Sequence, residues 1–276
     1  MNKWIVAAAM TLAVPMASAK VLISIDAGAG YNLNGLGDGS NIATDFDLGS
    51  TATNTGSAPY NLGMEAKGGL YGWAKISVPL LPDVKVKYES MVLDGTNNVN
   101  INVPVFGESF NMTGDVNSIL DLSHLDLALT IGLPLPVVDI DFGLNARSMI
   151  GGFSATGTVG SEEKTIDAPF SISDSGTPLI IPMGYLSVAA NIPGVGVKVG
   201  GEISTLPLGD TSFTDWNVKG TWYAPLPTNM LVKLGLEAGY RSFNMTIGDS
   251  TLGMDTSDLA SEVSVSGFFL GAAMHF

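Results

Sequence analysis

The chain has 276 residues, no cysteine, 34 glycines, 14 prolines and a formal charge of −14. Without cysteine a disulfide framework and a thiolate metal site are both excluded, and the acidic balance argues against nucleic acid, whose phosphates need clustered Lys and Arg. Beyond the first twenty residues no apolar run reaches the roughly 20 residues that a membrane-spanning helix requires; Leu127 to Val138 comes nearest and is broken by Gly132, Pro134 and Pro136.

The N-terminus carries Lys3, an apolar stretch from Trp4 to Met16, and the small-x-small triplet Ala17-Ser18-Ala19. This order predicts a secretory signal peptide over residues 1–19, cut after Ala19. The apolar stretch is too short to serve as a spanning helix. The mature part, 20–276, is of a length that suits one large β domain.

The first predicted strand covers 20–33. Val21, Ile23, Ile25, Ala27, Ala29 and Tyr31 alternate with Ser24, Asp26, Gly28, Gly30 and Asn32. Successive side chains of a strand point to opposite faces, so one face is apolar and the other polar. Nine further strands are predicted, roughly at 69–79, 84–94, 118–132, 137–151, 179–192, 196–206, 213–224, 230–244 and 261–276. The alternation is clearest from Val138 to Arg147, and it recurs from Val232 to Arg241. A soluble sandwich with one wet face also alternates, so the pattern alone does not decide the class.

Three features favour a closed transmembrane barrel. The final strand places Phe268, Leu270, Ala272, Met274 and Phe276 at alternate positions; this resembles the C-terminal strand by which outer-membrane barrels are read by the barrel-assembly machinery. Four connections are short and proline-bearing, at 79–83, 134–136, 192–194 and 225–229, while most at the other end are long and polar. Short periplasmic turns opposite long extracellular loops are the pattern of such barrels. Aromatic residues, finally, sit near both ends of the outward faces. Phe268 to Phe276 covers about 26 Å of strand at roughly 3.3 Å per residue, or about 20 Å of depth at a tilt of about 40°, near the apolar band of about 25 Å.

The chain also resembles a family of small, uncharacterised proteobacterial outer-membrane proteins. The likeness rests on Val78-Pro79-Leu80-Leu81-Pro82-Asp83, on Leu120 to Leu127 leading into Asp139 to Leu144, on Gly239-Tyr240-Arg241-Ser242-Phe243, and on Gly267 to Phe276. It implies an integral barrel in a Gram-negative outer membrane and brings no activity with it.

The candidate functional residues are the charges on the inward face. Eight bases (Lys75, Lys85, Lys87, Arg147, Lys198, Lys219, Lys233, Arg241) and eight acids (Asp26, Glu89, Asp126, Asp139, Asp141, Glu202, Asp215, Glu237) are predicted to face the lumen and to pair across neighbouring strands, because unpaired buried charge is costly. With Tyr71, Trp73 and Tyr223 they are expected to fill most of a ten-stranded lumen, since open aqueous channels appear at about 16–18 strands. His124 shares the inner face with Asp126, while Ser123 points away, so a nucleophile–base pair between neighbours fails on geometry. Two histidines without cysteine argue against a transition-metal site, and no cofactor is expected. Acidic loop residues such as Asp38, Asp45, Asp47, Glu162, Glu163, Asp174, Asp210 and Asp258 suit weak Ca²⁺ or Mg²⁺ binding that bridges lipopolysaccharide phosphates. The reading is therefore a non-enzymatic outer-membrane barrel with a structural or surface-interaction role. A narrow porin-like channel and a hydrolase built around His124 are the alternatives.

Overall fold

The computed structural model describes residues 23–43, 45–52, 54, 59–105, 108–135, 137–159, 162–170, 178–227, 231–251, 254–255 and 260–276. The predicted signal peptide lies outside the described residues, as do Asp174 and Asp258.

Ten antiparallel strands close on themselves. They are β1 (Ser24–Leu36), β2 (Gly69–Ser77), β3 (Asp83–Glu89), β4 (His124–Pro134), β5 (Val138–Met149), β6 (Ile180–Ile192), β7 (Val197–Leu208), β8 (Thr211–Tyr223), β9 (Lys233–Ile247) and β10 (Ser261–His275). Each pairs with the next, and β10 returns to β1 in a register running from Asp26↔His275 to Leu36↔Val265. At the seam the backbones approach closely. A Cβ on Gly267 would meet the Leu33 carbonyl oxygen at 1.9 Å, so the position requires glycine. All ten predicted strands are present, and closure leaves the barrel with no open edge.

Outward positions carry an apolar belt. Leu125, Leu127, Leu129, Ile131 and Leu133 on β4 are exposed, as are Leu234 and Leu236 on β9 and Phe268 and Leu270 on β10. Trp216, Tyr240 and Phe268 form a row near the loop ends, with ring centroids 5.9 Å and 5.1 Å apart. Above this row the outward face becomes polar, through Ser242 and Asn244 on β9 and Ser264 on β10, which are joined by side-chain hydrogen bonds.

The inward face changes the opposite way at the same height. Phe243 and Met245 on β9, Val263 and Val265 on β10, Ile181 and Met183 on β6 and Met149 on β5 turn into the mouth and are buried. They pack against residues of the long connections, among them Ile42, Phe46, Leu62, Met91, Leu93, Leu120, Leu122 and Phe153. The connections were expected as polar loops, and here the structure corrects the reading. Three of them build a second, five-stranded sheet from segments 162–169, 152–159, 108–121, 92–105 and 64–66, in that order. The predicted strands 84–94 and 118–132 accordingly break, at Ser90–Met91 and Leu122–Ser123, and continue into this sheet. The physical reason is the apolar mouth, which supplies a surface that a sheet with one apolar face can cover.

Candidate functional site: a tiered lumen

Along β9 the inward residues change in character from the loop end to the turn end. On β9 the order is Met245, Phe243, Arg241, Gly239, Glu237, Gly235, Lys233. Registered around the barrel, these positions form four tiers: the apolar cap, an arginine tier, a lysine–glutamate tier, and a tier of small residues around an open space.

The arginine tier is fully enclosed. Arg147 Nε and Nη2 donate to the two oxygens of Asp126 at 2.8 and 2.7 Å, and Nη2 also reaches Asp215 Oδ2. Arg241 Nε and Nη2 donate to Asp215 Oδ1 and Oδ2 at 2.9 and 2.6 Å, and its Nη1 lies 2.8 Å from Glu89. Asp215 thus serves two guanidiniums at once. Asn32 donates to Glu89, and Lys87 approaches it at 3.1 Å. Bidentate guanidinium–carboxylate geometry of this kind is strong and directional. Phe243 joins the tier to the cap above: Arg147 lies 5.6 Å over its ring and His124 stacks on it at 6.1 Å.

His124 is completely buried, and both ring nitrogens are engaged. Nδ1 lies 2.8 Å from the Leu122 carbonyl and Nε2 lies 3.1 Å from Arg241 Nη2. A carbonyl can only accept and a guanidinium can only donate, so Nδ1 carries the proton and Nε2 accepts. His124 does not hydrogen-bond to Asp126, whose oxygens Arg147 occupies. Ser123 Oγ accepts from the Met91 amide at 3.0 Å, away from the imidazole. The carboxylates of Asp126 and Asp215 and the His124 ring lie close enough to share a metal ion, but Arg147 and Arg241 already stand in that position.

In the next tier Glu202 binds Lys85 and accepts from Tyr185 at 2.9 Å and from Asn217 at 2.9 Å. Glu237 accepts from Tyr71 at 2.8 Å, Trp73 Nε1 at 3.0 Å and Lys219 at 3.0 Å, and Lys219 sits 4.0 Å over the Trp73 ring. Asp141 takes Lys75 at 2.6 Å, and Asp139 takes Lys198 at 3.2 Å.

Several of these pairs depart from the expected pairing across neighbouring strands. Lys85–Glu202, Lys75–Asp141, Arg147–Asp215 and Arg241–Glu89 cross the lumen, because a barrel this narrow brings opposite walls within reach of one long side chain. Asp83, expected in a turn, is buried at the base of β3 and holds Lys75 at 3.1 Å. Lys233 is exposed and has no ion pair among the described residues.

The side chains expected to fill most of the lumen leave its turn end open. Below the lysine tier a cavity of about 800 Å³ opens at the turn end. Its wall carries Ser24, Ser77, Gly132, Ala189 and Gly200, residues with too little bulk to occupy it. Above it, two water-sized spaces of about 20 Å³ each reach up to Asp215 and Arg241 and end beneath the cap. Phe268, Leu270, Met274 and Phe276 of the C-terminal pattern all face outward on or just after β10.

No protein-family model matches the chain, and no curated protein matches it in sequence. Among solved structures it is similar to the outer membrane protease OmpT from Escherichia coli, at 10% identity over 92% of this chain and 96% of that one, with a TM-score of 0.40. It is also similar to a Pseudomonas aeruginosa FadL homologue, at 8% identity over 92% and 89% of the two chains, with a TM-score of 0.28. Likenesses this distant carry no site and no activity across.

Proposed function

We propose that this protein is an integral outer-membrane barrel of a Gram-negative bacterium, non-enzymatic, with a sealed lumen and a rigid surface sheet that carries its structural or surface-interaction role. The observation that carries the reading is the exchange of faces at the aromatic row: apolar outside and charged inside below it, polar outside and apolar inside above it. The lower arrangement suits strands in lipid, and the upper one suits a folded sheet in water. The cap and the cross-lumen ion pairs support a sealed lumen. Both nitrogens of His124 are engaged beneath the cap, which argues against His124 as the base of a hydrolase.

The partners on this reading are outer-membrane lipid and lipopolysaccharide around the belt, and the barrel-assembly machinery at Phe268, Leu270, Met274 and Phe276. Weak divalent cations at the acidic surface residues are a further proposed partner. The cavity at the turn end favours a second reading, a narrow passive channel, provided the arginine tier and the cap above it can both open. Membrane fractionation of expressing cells, with folded and boiled samples compared on gels, tests the first. Recovery in the outer membrane and a mobility shift on heating are expected; a soluble protein, or identical mobility before and after boiling, would overturn it.

A further inference from the structure

The cavity at the turn end is of the size of a small-molecule site, and all but one of the lysines that line it have a carboxylate partner. Four of the five lysines that line it are held by carboxylates: Lys75 by Asp141, Lys85 by Glu202, Lys198 by Asp139 and Lys219 by Glu237. His275 is held by Asp26 at 2.8 Å. Lys233, opposite His275 in the β9–β10 register, is the remaining cation, and no carboxylate among the described residues reaches it. Its ammonium stands at the rim of a space enclosed on all sides by the barrel wall, with aromatic groups Trp73, Tyr185 and Tyr223 deeper in.

We propose that this cavity is a binding site for a small organic anion, a carboxylate or phosphate ester, entering from the turn end, with Lys233 as its charged anchor and the aromatic groups receiving its less polar part. The seal above makes it a one-ended site and not a stage of a pore. On the proposed membrane orientation the ligand is a periplasmic solute. The chemistry of the site does not depend on that orientation. An anion here would give Lys233 the partner that no described carboxylate supplies, whereas a cation would have to displace a lysine from its carboxylate. A phospholipid headgroup offers the same phosphate chemistry, but its chains would have to cross the barrel wall.

The test uses the mature protein in phosphatidylcholine nanodiscs and 5-carboxyfluorescein as the soluble anionic probe, read by fluorescence anisotropy. Saturable binding at one site is expected. Lys233→Gln should weaken it roughly tenfold or more, as loss of one charge-assisted contact does. Ala189→Trp, which fills the cavity without altering a charge, should abolish it, while Lys67→Gln, on a surface connection, should leave it unchanged. Citrate should displace the dye. Absence of saturable binding would overturn the proposal, as would binding that survives both Lys233→Gln and Ala189→Trp, or displacement by soluble dihexanoyl phosphatidylglycerol and not by citrate. Heat-modifiability of each variant reports separately on the barrel, so failure of the site is distinguishable from failure of the fold.

Discussion

Asp215 is the residue on which the arginine tier depends, and its replacement by asparagine provides a quantitative test of the lumen. The carboxylate accepts from Arg147 Nη2, from Arg241 Nε at 2.9 Å and from Arg241 Nη2 at 2.6 Å, and it is buried together with both guanidiniums. An amide in its place keeps one acceptor and turns an N–H group toward a cation. Arg147 retains Asp126 and Arg241 retains Glu89, but two buried positive charges then face each other with one negative charge fewer. Removing one partner from a buried ion pair costs about 3–5 kcal/mol, and the shared position of Asp215 puts the expected loss in that range. Asp126→Asn should cost less, because Arg147 alone loses a partner and keeps Asp215. Lys233→Gln, at an exposed position, should stay within about 0.5 kcal/mol of wild type. Urea unfolding in lipid vesicles, followed by tryptophan fluorescence, ranks the three. An Asp215→Asn variant as stable as Lys233→Gln would refute the claim that the lumen is held by these pairs.

Further predictions follow from the belt, the cap and the seam. Leu236 pairs with Ala272, midway between Phe268 and Phe276, so Leu236→Arg should destabilise the protein by about 2–4 kcal/mol, as a charge at the midplane of the lipid face does; no loss in vesicle unfolding would mean that the belt is misplaced. Phe243→Ala should cost about 3–5 kcal/mol as a buried aromatic truncation and should expose the 92–121 hairpin to limited proteolysis, whereas an unchanged cleavage pattern would show that the cap is held elsewhere. Gly267→Ala should cost about 1–3 kcal/mol by overpacking the β1–β10 seam, read as a lower temperature for loss of the fast-migrating band on gels.

The ten barrel strands were legible in the sequence because an apolar outer face and a polar inner face impose a two-residue period on each of them. Val138 to Arg147 shows this directly, with every apolar residue outward and every charge inward. The same rule misread the upper ends. The parity from Val84 to Leu93 holds, with Met91 and Leu93 inward, but the expectation that an inward residue is polar fails there, because at the mouth the inward surface has become apolar. The local signals were there, in the Asn–apolar alternation of Asn98 to Val103 and in the apolar inward positions Phe243, Met245, Val263 and Val265. They become interpretable only when the strands are in register and the shared height of the exchange is visible. For the candidate site, the identities of the lumen charges could be read from parity alone. Partners such as Glu202 for Lys85 could not, because they come from walls far apart in sequence and nearness across the lumen depends on how tightly the barrel closes. The open cavity was missed for a related reason: Ser24, Ala189 and Gly200 are separately unremarkable and leave a space only in combination.

The sealed lumen is tested most directly by planar-bilayer recording from the purified protein, wild type beside a variant with 92–121 replaced by a short glycine–serine link. On the proposed reading the arginine tier beneath the cap is itself enough to hold the lumen shut, so both proteins should give no stable unitary current; only adding Asp215→Asn and Arg147→Ala to the deletion should open a path. Large, well-defined single-channel steps from the wild-type protein would contradict the account and make the barrel a channel.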